Sequence, residues 1–134
     1  FKGTWLSLWL HSLGARVSGY SDAIATSPSH FILANVAELL EFDFRGDVRD
    51  RAALRNAFHA CNPEVVFHMA AQPLVSAGYR DPAGTFETNF NGTLNLLEEA
   101  RAFLRPLSIV VVTSDKCYST SDAGGAFLLK TFKN

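Results

Sequence analysis

The chain has 134 residues, of which 48% are hydrophobic and 19% charged, with 12 basic side chains against 13 acidic ones. That balance excludes intrinsic disorder, and it lacks the basic excess of a nucleic-acid-binding surface. No apolar stretch approaches the roughly 20 residues a membrane-spanning helix needs, so neither nucleic acid nor membrane is an expected partner. The two cysteines, Cys61 and Cys117, are too few for a disulfide scaffold and lack metal-ligand spacing, which fits a reducing, cytoplasmic setting. The chain starts at Phe1 and its only methionine is the internal Met69, which raises the expectation of a processed or partial chain. It shows no n-region, apolar core and cleavage site of a secretory signal.

Residues 4–13 (TWLSLWLHSL) are apolar on nearly every side, with Trp5/Trp9 and Leu6/Leu10 each four apart. This predicts a short helix buried on both sides, with both tryptophans in the core and Gly14 as its stop. Residues 15–20 read as a strand and 21–30, rich in Ser, Pro and Ala, as a loop. Helical spacing returns over 31–40, and alternation over 41–45 predicts a strand ended by Gly46-Asp47. Asp50 is placed as the N-cap of a helix reaching Cys61, with Asn62-Pro63 as its stop.

The run EVVFHMAA (64–71) is continuously apolar, as a strand inside a parallel sheet would be. Asp81-Pro82 opens a long helical pattern to about residue 103, broken by Pro106. The strongest strand signal follows at 107–113 (LSIVVVT). Helix and strand therefore alternate four times, the pattern of an α/β fold with a Rossmann-type doubly wound parallel sheet. Residues 119–134 match no expected continuation and are set apart as a divergent tail.

In such sheets ligands bind beyond the carboxyl ends of the strands. Three polar clusters follow strands there: Gly46-Asp47-Val48-Arg49-Asp50, His68-Met69-Ala70-Ala71-Gln72, and Thr113-Ser114-Asp115-Lys116-Cys117-Tyr118. Taken alone, His68 reads as a core histidine and Cys117 as a buried small hydrophobe. His11, His30 and His59 read as solvent-facing or helix-end residues.

The stretches FKGTWLSLWL, GDVRD, HMAAQPLV and VVTSDKCY carry a resemblance. Residues 1–118 resemble the N-terminal part of the extended short-chain dehydrogenase/reductases that act on nucleotide sugars, and among these the CDP-glucose 4,6-dehydratases. The resemblance implies a partial NAD-binding Rossmann domain over 1–118, without its first strand and without the C-terminal substrate domain. It implies NAD as cofactor and CDP-glucose as substrate of the full-length enzyme, and it is compatible with a homo-oligomer. Gly3 matches the last glycine of the family's G-x-x-G-x-x-G turn, and the helix after it would aim its N-terminus at the cofactor pyrophosphate. Asp47 and Val48 match the pair that brackets the adenine. Ala70 and Ala71 match small residues that let the backbone approach the cofactor, and Asn89 matches a helix asparagine that orders the site. Asp22, about 20 residues past the glycine turn, is a candidate acceptor for an adenosine ribose hydroxyl. No metal is expected.

Ser114, Asp115 and Lys116 match the family's active-site run. The implied reaction is an internal redox dehydration: hydride passes from sugar C4 to NAD, water leaves across C5–C6, and hydride returns at C6. Ser114 would hydrogen-bond the developing C4 oxygen and Asp115 would protonate the departing hydroxyl. Lys116 stands where many related dehydratases carry the glutamate that acts as base at C5, and lysine there is a feature of the CDP-glucose branch. A basic Lys116 needs a lowered pKa. The family's Y-x-x-x-K pair is not found: four residues after Tyr20, Tyr79 and Tyr118 stand Ile24, Ala83 and Asp122. The expectation is an NAD-binding portion that is inactive as this chain. The alternatives are a portion of another nucleotide-sugar epimerase or dehydratase, or a non-catalytic dinucleotide-binding module.

Overall fold

The structure, a computed structural model, describes residues 1–24, 26–114, 118–120 and 127–129. Its first element, α1 (Lys2–Ser12), ends through Leu13 into Gly14, whose φ of +85° is the left-handed conformation that stops a helix. The expectation that α1 is buried all round is not met. Only Thr4 is buried, while Trp5 and Trp9 are 55% and 64% exposed, so the tryptophans are not core residues. Among the described residues the helix packs chiefly against the 3-10 turn Val36–Leu39, and the Trp5 ring lies over His30 with centroids 4.8 Å apart. A helix apolar on every side has no polar face to offer water, so this limited packing leaves its indoles exposed.

Strand β1 (Ser18–Ser21) is followed by a loop and by α2 (His30–Leu33), capped by the Ser29 hydroxyl, which accepts from the Ile32 amide at 3.2 Å. The expected single helix over 31–40 is instead two short pieces. Asn35 adopts φ +48°, ψ +39°, and this left-handed residue separates α2 from the 3-10 turn. Asparagine tolerates that conformation, which helical periodicity alone does not register. Next come β2 (Phe42–Arg45) and α3 (Arg51–Cys61). Asp50 caps α3 by accepting from the Ala53 amide at 3.0 Å, and Asn62 ends it at φ +47°, both as the sequence indicates.

Strand β3 (Val65–His68) leads into a loop and α4 (Val75–Arg80), a helical segment that the sequence pattern did not reveal. A long helical run then extends from Pro82 to Ala102 as α5 (Pro82–Phe86), a π turn (Glu87–Asn91) and α6 (Gly92–Ala102). Asp81 caps it, accepting from the Gly84 amide at 2.9 Å. Strand β4 (Ser108–Val111) follows, and the short strands β5 (Tyr118–Thr120) and β6 (Phe127–Leu129) pair antiparallel.

The parallel strands form two separate ladders, β2-β1 and β3-β4. Set against the doubly wound order 3-2-1-4-5, these occupy positions 3-2 and 4-5, and no described strand fills the place between them. The fold is thus an incomplete Rossmann-type α/β domain. What holds the pairs together is a helical layer. Leu54 and Phe58 of α3 and Leu96 of α6 form the buried core, and Tyr20 of β1, Val66 of β3 and Ile109 of β4 pack against it. At the edge of this core Glu99, 3% exposed at its side chain, takes hydrogen bonds from Arg51 and Arg55, at 2.9 and 3.1 Å from the latter.

Candidate functional site

The candidate site lies at the carboxyl ends of the strands, and the first cluster there is built around the β2–α3 loop. The Asp47 carboxylate accepts from the Arg49 amide at 2.8 Å and from the Arg49 guanidinium at 2.8 and 3.0 Å. These bonds hold the Asp47 carboxyl below the usual carboxylate range. Its carbonyl accepts from the Tyr20 hydroxyl at 2.9 Å. Burial, with Asp50 and Asp47 nearby, pushes the Tyr20 phenol up, so it remains a donor. Gly46 is needed for this contact, because a Cβ there would run into the Tyr20 ring. Asp22 sits just past β1, exposed, with its carboxylate turned onto the Ala23 amide at 2.7 Å; the Arg49 guanidinium is pushed up mainly by its hydrogen bonds to Asp47, with Glu87 and Asp22 adding to it.

The second cluster follows β3. His68 is buried, and its Nε2 lies 2.8 Å from the Thr93 hydroxyl. Burial lowers its pKa and keeps the ring neutral at pH 7. Its reading as a core histidine therefore holds. Ala70 is half-buried and Ala71 exposed. Asn89 grips the next residue at both backbone groups: Gln72 N–H donates to its Oδ1 at 2.7 Å, and its Nδ2 donates to the Gln72 carbonyl at 3.1 Å.

One helical run, Pro82 to Ala102, joins the two clusters. Its Asn95 Nδ2 donates to the carbonyls of Val48 and Arg49 at 3.3 and 3.1 Å, and its Glu87 carboxylate lies 3.6 Å from Arg49. Gly92 lets the helix approach so closely that an added Cβ would stand 2.6 Å from Val48 Cγ2. The structure therefore ties the loop of Asp47 and Val48, through the Val48 and Arg49 carbonyls, and the loop of Ala70 and Ala71, through Gln72, to the one helical run that carries Asn89. Gln72, from the second polar cluster, completes that arrangement together with Asn95, Gly92, Thr93 and Tyr20, which the sequence did not single out as site residues. Small and amide side chains at four- and three-residue spacing (Thr85, Asn89, Gly92 or Thr93) within an apolar helix were the available signal.

Gly3 stands outside these hydrogen bonds, in the first turn of α1, where an added Cβ would meet nothing within 4 Å. Helix α1 has no side-chain cap and no acidic residue in its first turn. Its leading N–H groups are thus available to an anion such as a pyrophosphate, and the local chemistry fits one. Ser114, three residues past β4, is exposed. Asp115, Lys116 and Cys117 lie outside the described residues. Among the described residues no group of three or more His, Cys, Asp or Glu side chains is placed to hold a metal, and no helix is long and apolar enough to cross a membrane. An open hollow lined by Asn62, Pro63, Glu64, Arg105, Pro106 and Ser108 lies at the opposite, amino ends of β3 and β4.

Comparison with known proteins shows the family of the chain. Residues 1–125 match the family described as GDP-mannose 4,6 dehydratase. The chain belongs to that nucleotide-sugar dehydratase and epimerase family. It is 46% identical over 122 residues to the CDP-glucose 4,6-dehydratase of Salmonella typhimurium, a match covering 91% of this chain and 34% of that protein. The CDP-paratose 2-epimerase of Salmonella typhi is 30% identical over 95 residues, 70% of this chain and 27% of that one. Among solved structures, the Thermus thermophilus UDP-glucose 4-epimerase in complex with NAD superposes with a TM-score of 0.77 at 29% identity, covering 94% of this chain and 39% of that one. The chain thus spans about a third of the length of the relatives it matches.

Proposed function

We propose that this chain is the NAD-binding portion of a nucleotide-sugar 4,6-dehydratase that converts CDP-glucose to CDP-4-keto-6-deoxyglucose, and that as this chain alone it is inactive. The observation that carries the reading is that the loops bearing Asp47-Val48 and Ala70-Ala71 are tied to one helical run at the carboxyl rim of the sheet, the first through Asn95 to the Val48 and Arg49 carbonyls and the second through Asn89 to the Gln72 backbone. The CDP-glucose substrate is supported by the 46% identity to a dehydratase of that name, higher than to the epimerases. Lys116 following Asp115 points the same way, because epimerases of this family typically lack lysine there.

In this reading the uncapped start of α1 at Gly3 receives the pyrophosphate, and Asp22 accepts from a ribose hydroxyl. Val48, buried against Gly92, forms one wall for the adenine, and the Asp47 backbone, fixed by Tyr20, forms its rim. The small Ala70 and Ala71 let the backbone approach the dinucleotide. NAD, when bound, supplies the acceptor and later the donor of a hydride. Ser114 would donate a hydrogen bond to the sugar C4 oxygen, Asp115 would protonate the departing hydroxyl, and Lys116 would take the proton from C5. Cytoplasmic residence fits the free, half-buried thiol of Cys61.

Two features support weak binding and no turnover by the chain alone. The two strand pairs are not hydrogen-bonded to each other, so the phosphate-facing rim is not drawn together by a continuous sheet. No tyrosine here has a lysine four residues on, so the usual base for the C4 hydroxyl is not supplied. Calorimetric titration of NAD into the purified chain tests this. A dissociation constant in the millimolar range is expected, and a micromolar one would favour a self-sufficient dinucleotide-binding module instead.

A further inference from the structure

Strand β3 hands over to its loop at His68, and that ring is held in a way that fixes its proton. The Thr93 hydroxyl donates to the Asn89 carbonyl at 2.7 Å. A hydroxyl has one hydrogen, so toward the His68 ring 2.8 Å away Thr93 can only accept. The imidazole must therefore carry its proton on Nε2 and leave Nδ1 as the bare nitrogen. Four residues on, Gln72 is held just as fully. Its backbone N–H and carbonyl are both bound by the Asn89 amide, its Nε2 donates to Thr85 Oγ1 at 2.9 Å, and its Oε1 accepts from the Leu74 amide at 2.6 Å. Thr85 in turn donates to the Asp81 carbonyl at 2.8 Å, so it too is an acceptor toward the loop.

Apart from the Leu74 amide, the partners of His68 and Gln72 lie on one helical run, at Thr85, Asn89 and Thr93. In an α-helix of 3.6 residues per turn, each four-residue step over-rotates by about 40°. A stripe of residues four apart therefore drifts around the helix. The π turn Glu87–Asn91 has more residues per turn and takes rotation out in the middle of this stripe. That keeps Asn89 and Thr93 directed at a single loop. Between the two anchors, His68 and Gln72, stand only Met69, Ala70 and Ala71.

We propose that His68–Thr93 and Gln72–Asn89 are positioning pairs that lock the Ala70-Ala71 backbone into the path a dinucleotide needs, with His68 held as its Nε2–H tautomer. What the locked segment receives rests on the function proposed above. The lock itself rests on hydrogen bonds alone. The side chains act through the loop and do not themselves touch the reacting atoms.

The test is 15N NMR on the whole chain, as wild type, Thr93→Val and Thr93→Ser. In the wild type the His68 nitrogens show the Nε2–H tautomer and the Gln72 amide exchanges slowly with solvent. Neither measurement requires a variant to fold. Thr93→Ser retains both signatures. Thr93→Val, which keeps shape and removes the hydroxyl, releases the tautomer and speeds Gln72 exchange at least tenfold. With millimolar NAD, the Ala70 and Ala71 amides shift in wild type and Thr93→Ser, and the dissociation constant of Thr93→Val rises at least fivefold. An Nδ1–H tautomer in the wild type, or unchanged tautomer and NAD response in Thr93→Val, overturns the proposal. A wild type with no NAD response refutes the proposed function and the positioning role with it, while the tautomer readout still decides whether the lock exists.

Discussion

Replacing Gly92 by alanine tests how tightly the helix and the β2–α3 loop are fitted at the rim. An alanine Cβ would stand 2.6 Å from Val48 Cγ2 and 3.2 Å from its Cβ. Val48 cannot easily retreat. Its carbonyl is bound by Asn95, the preceding Asp47 carbonyl by Tyr20, and the following Arg49 carbonyl again by Asn95. Helix propensity alone would favour alanine over glycine by about 1 kcal/mol. Overpacking a well-fitted contact costs about 1–3 kcal/mol. The clash offsets or exceeds the propensity gain, and Gly92→Ala is expected to destabilise the chain by about 0–2 kcal/mol net, a fall in melting midpoint of up to roughly 8 °C for a chain of this size. Urea and thermal unfolding followed by circular dichroism read this directly. A double-mutant cycle sharpens it: Val48→Ala should cost less in the Gly92→Ala background than in the wild type. A Gly92→Ala chain more stable than wild type, or strictly additive effects, would refute the close-approach argument.

Further outcomes follow from the core and its rim. Glu99, whose carboxyl is lowered to about 2 by hydrogen bonds from Arg55 and Arg51, stabilises the fold above the ordinary glutamate range, and that contribution is lost as pH falls from about 4.5 toward 2. Both arginines are about half exposed, so solvent screening discounts the shift, and Glu99→Gln should cost about 1–2 kcal/mol at pH 7. In urea melts the gap between wild type and Glu99→Gln should shrink steadily as pH falls below about 4.5 and close only below about pH 2, and a gap unchanged between about pH 4.5 and 2.5 contradicts the assignment. Leu54→Ala or Leu96→Ala should each cost about 2–4 kcal/mol, because these side chains form the buried core on which strands of both ladders pack. Loss confined to one ladder, read by amide exchange, would contradict that shared core. Asp50→Ala removes the cap of α3 and should cost about 1 kcal/mol, whereas Asp50→Asn should retain most of it.

Much of this arrangement was legible in the sequence because local chemistry decides it. Asp50 before a helical run, Asn62-Pro63 after it and the β-branched run at Ile109-Val110-Val111 are signals that tertiary context did not override. The rim position of Asp47 and Ala70 follows from the α/β alternation once the strands are placed. What the sequence concealed depends on packing. The helical spacing of residues 31–40 says nothing of the left-handed Asn35 that divides it, and a greasy α1 does not say how many of its sides are covered. The role of Asn95 and Gly92 depends on a partner loop more than 40 residues away in the chain, which periodicity cannot register. The π turn likewise hides inside an otherwise ordinary helical pattern.

The central claim, that the carboxyl rim of the two ladders faces an NAD molecule, is tested most directly by mapping amide shifts of the 15N-labelled chain with NAD raised to millimolar concentration. The account predicts that the shifts gather at Gly3, Asp22, Asp47, Val48, Ala70 and Ala71, with saturation only at millimolar NAD. Shifts centred on the hollow between Asn62 and Ser108 at the opposite strand ends, or no shifts at all, would contradict it.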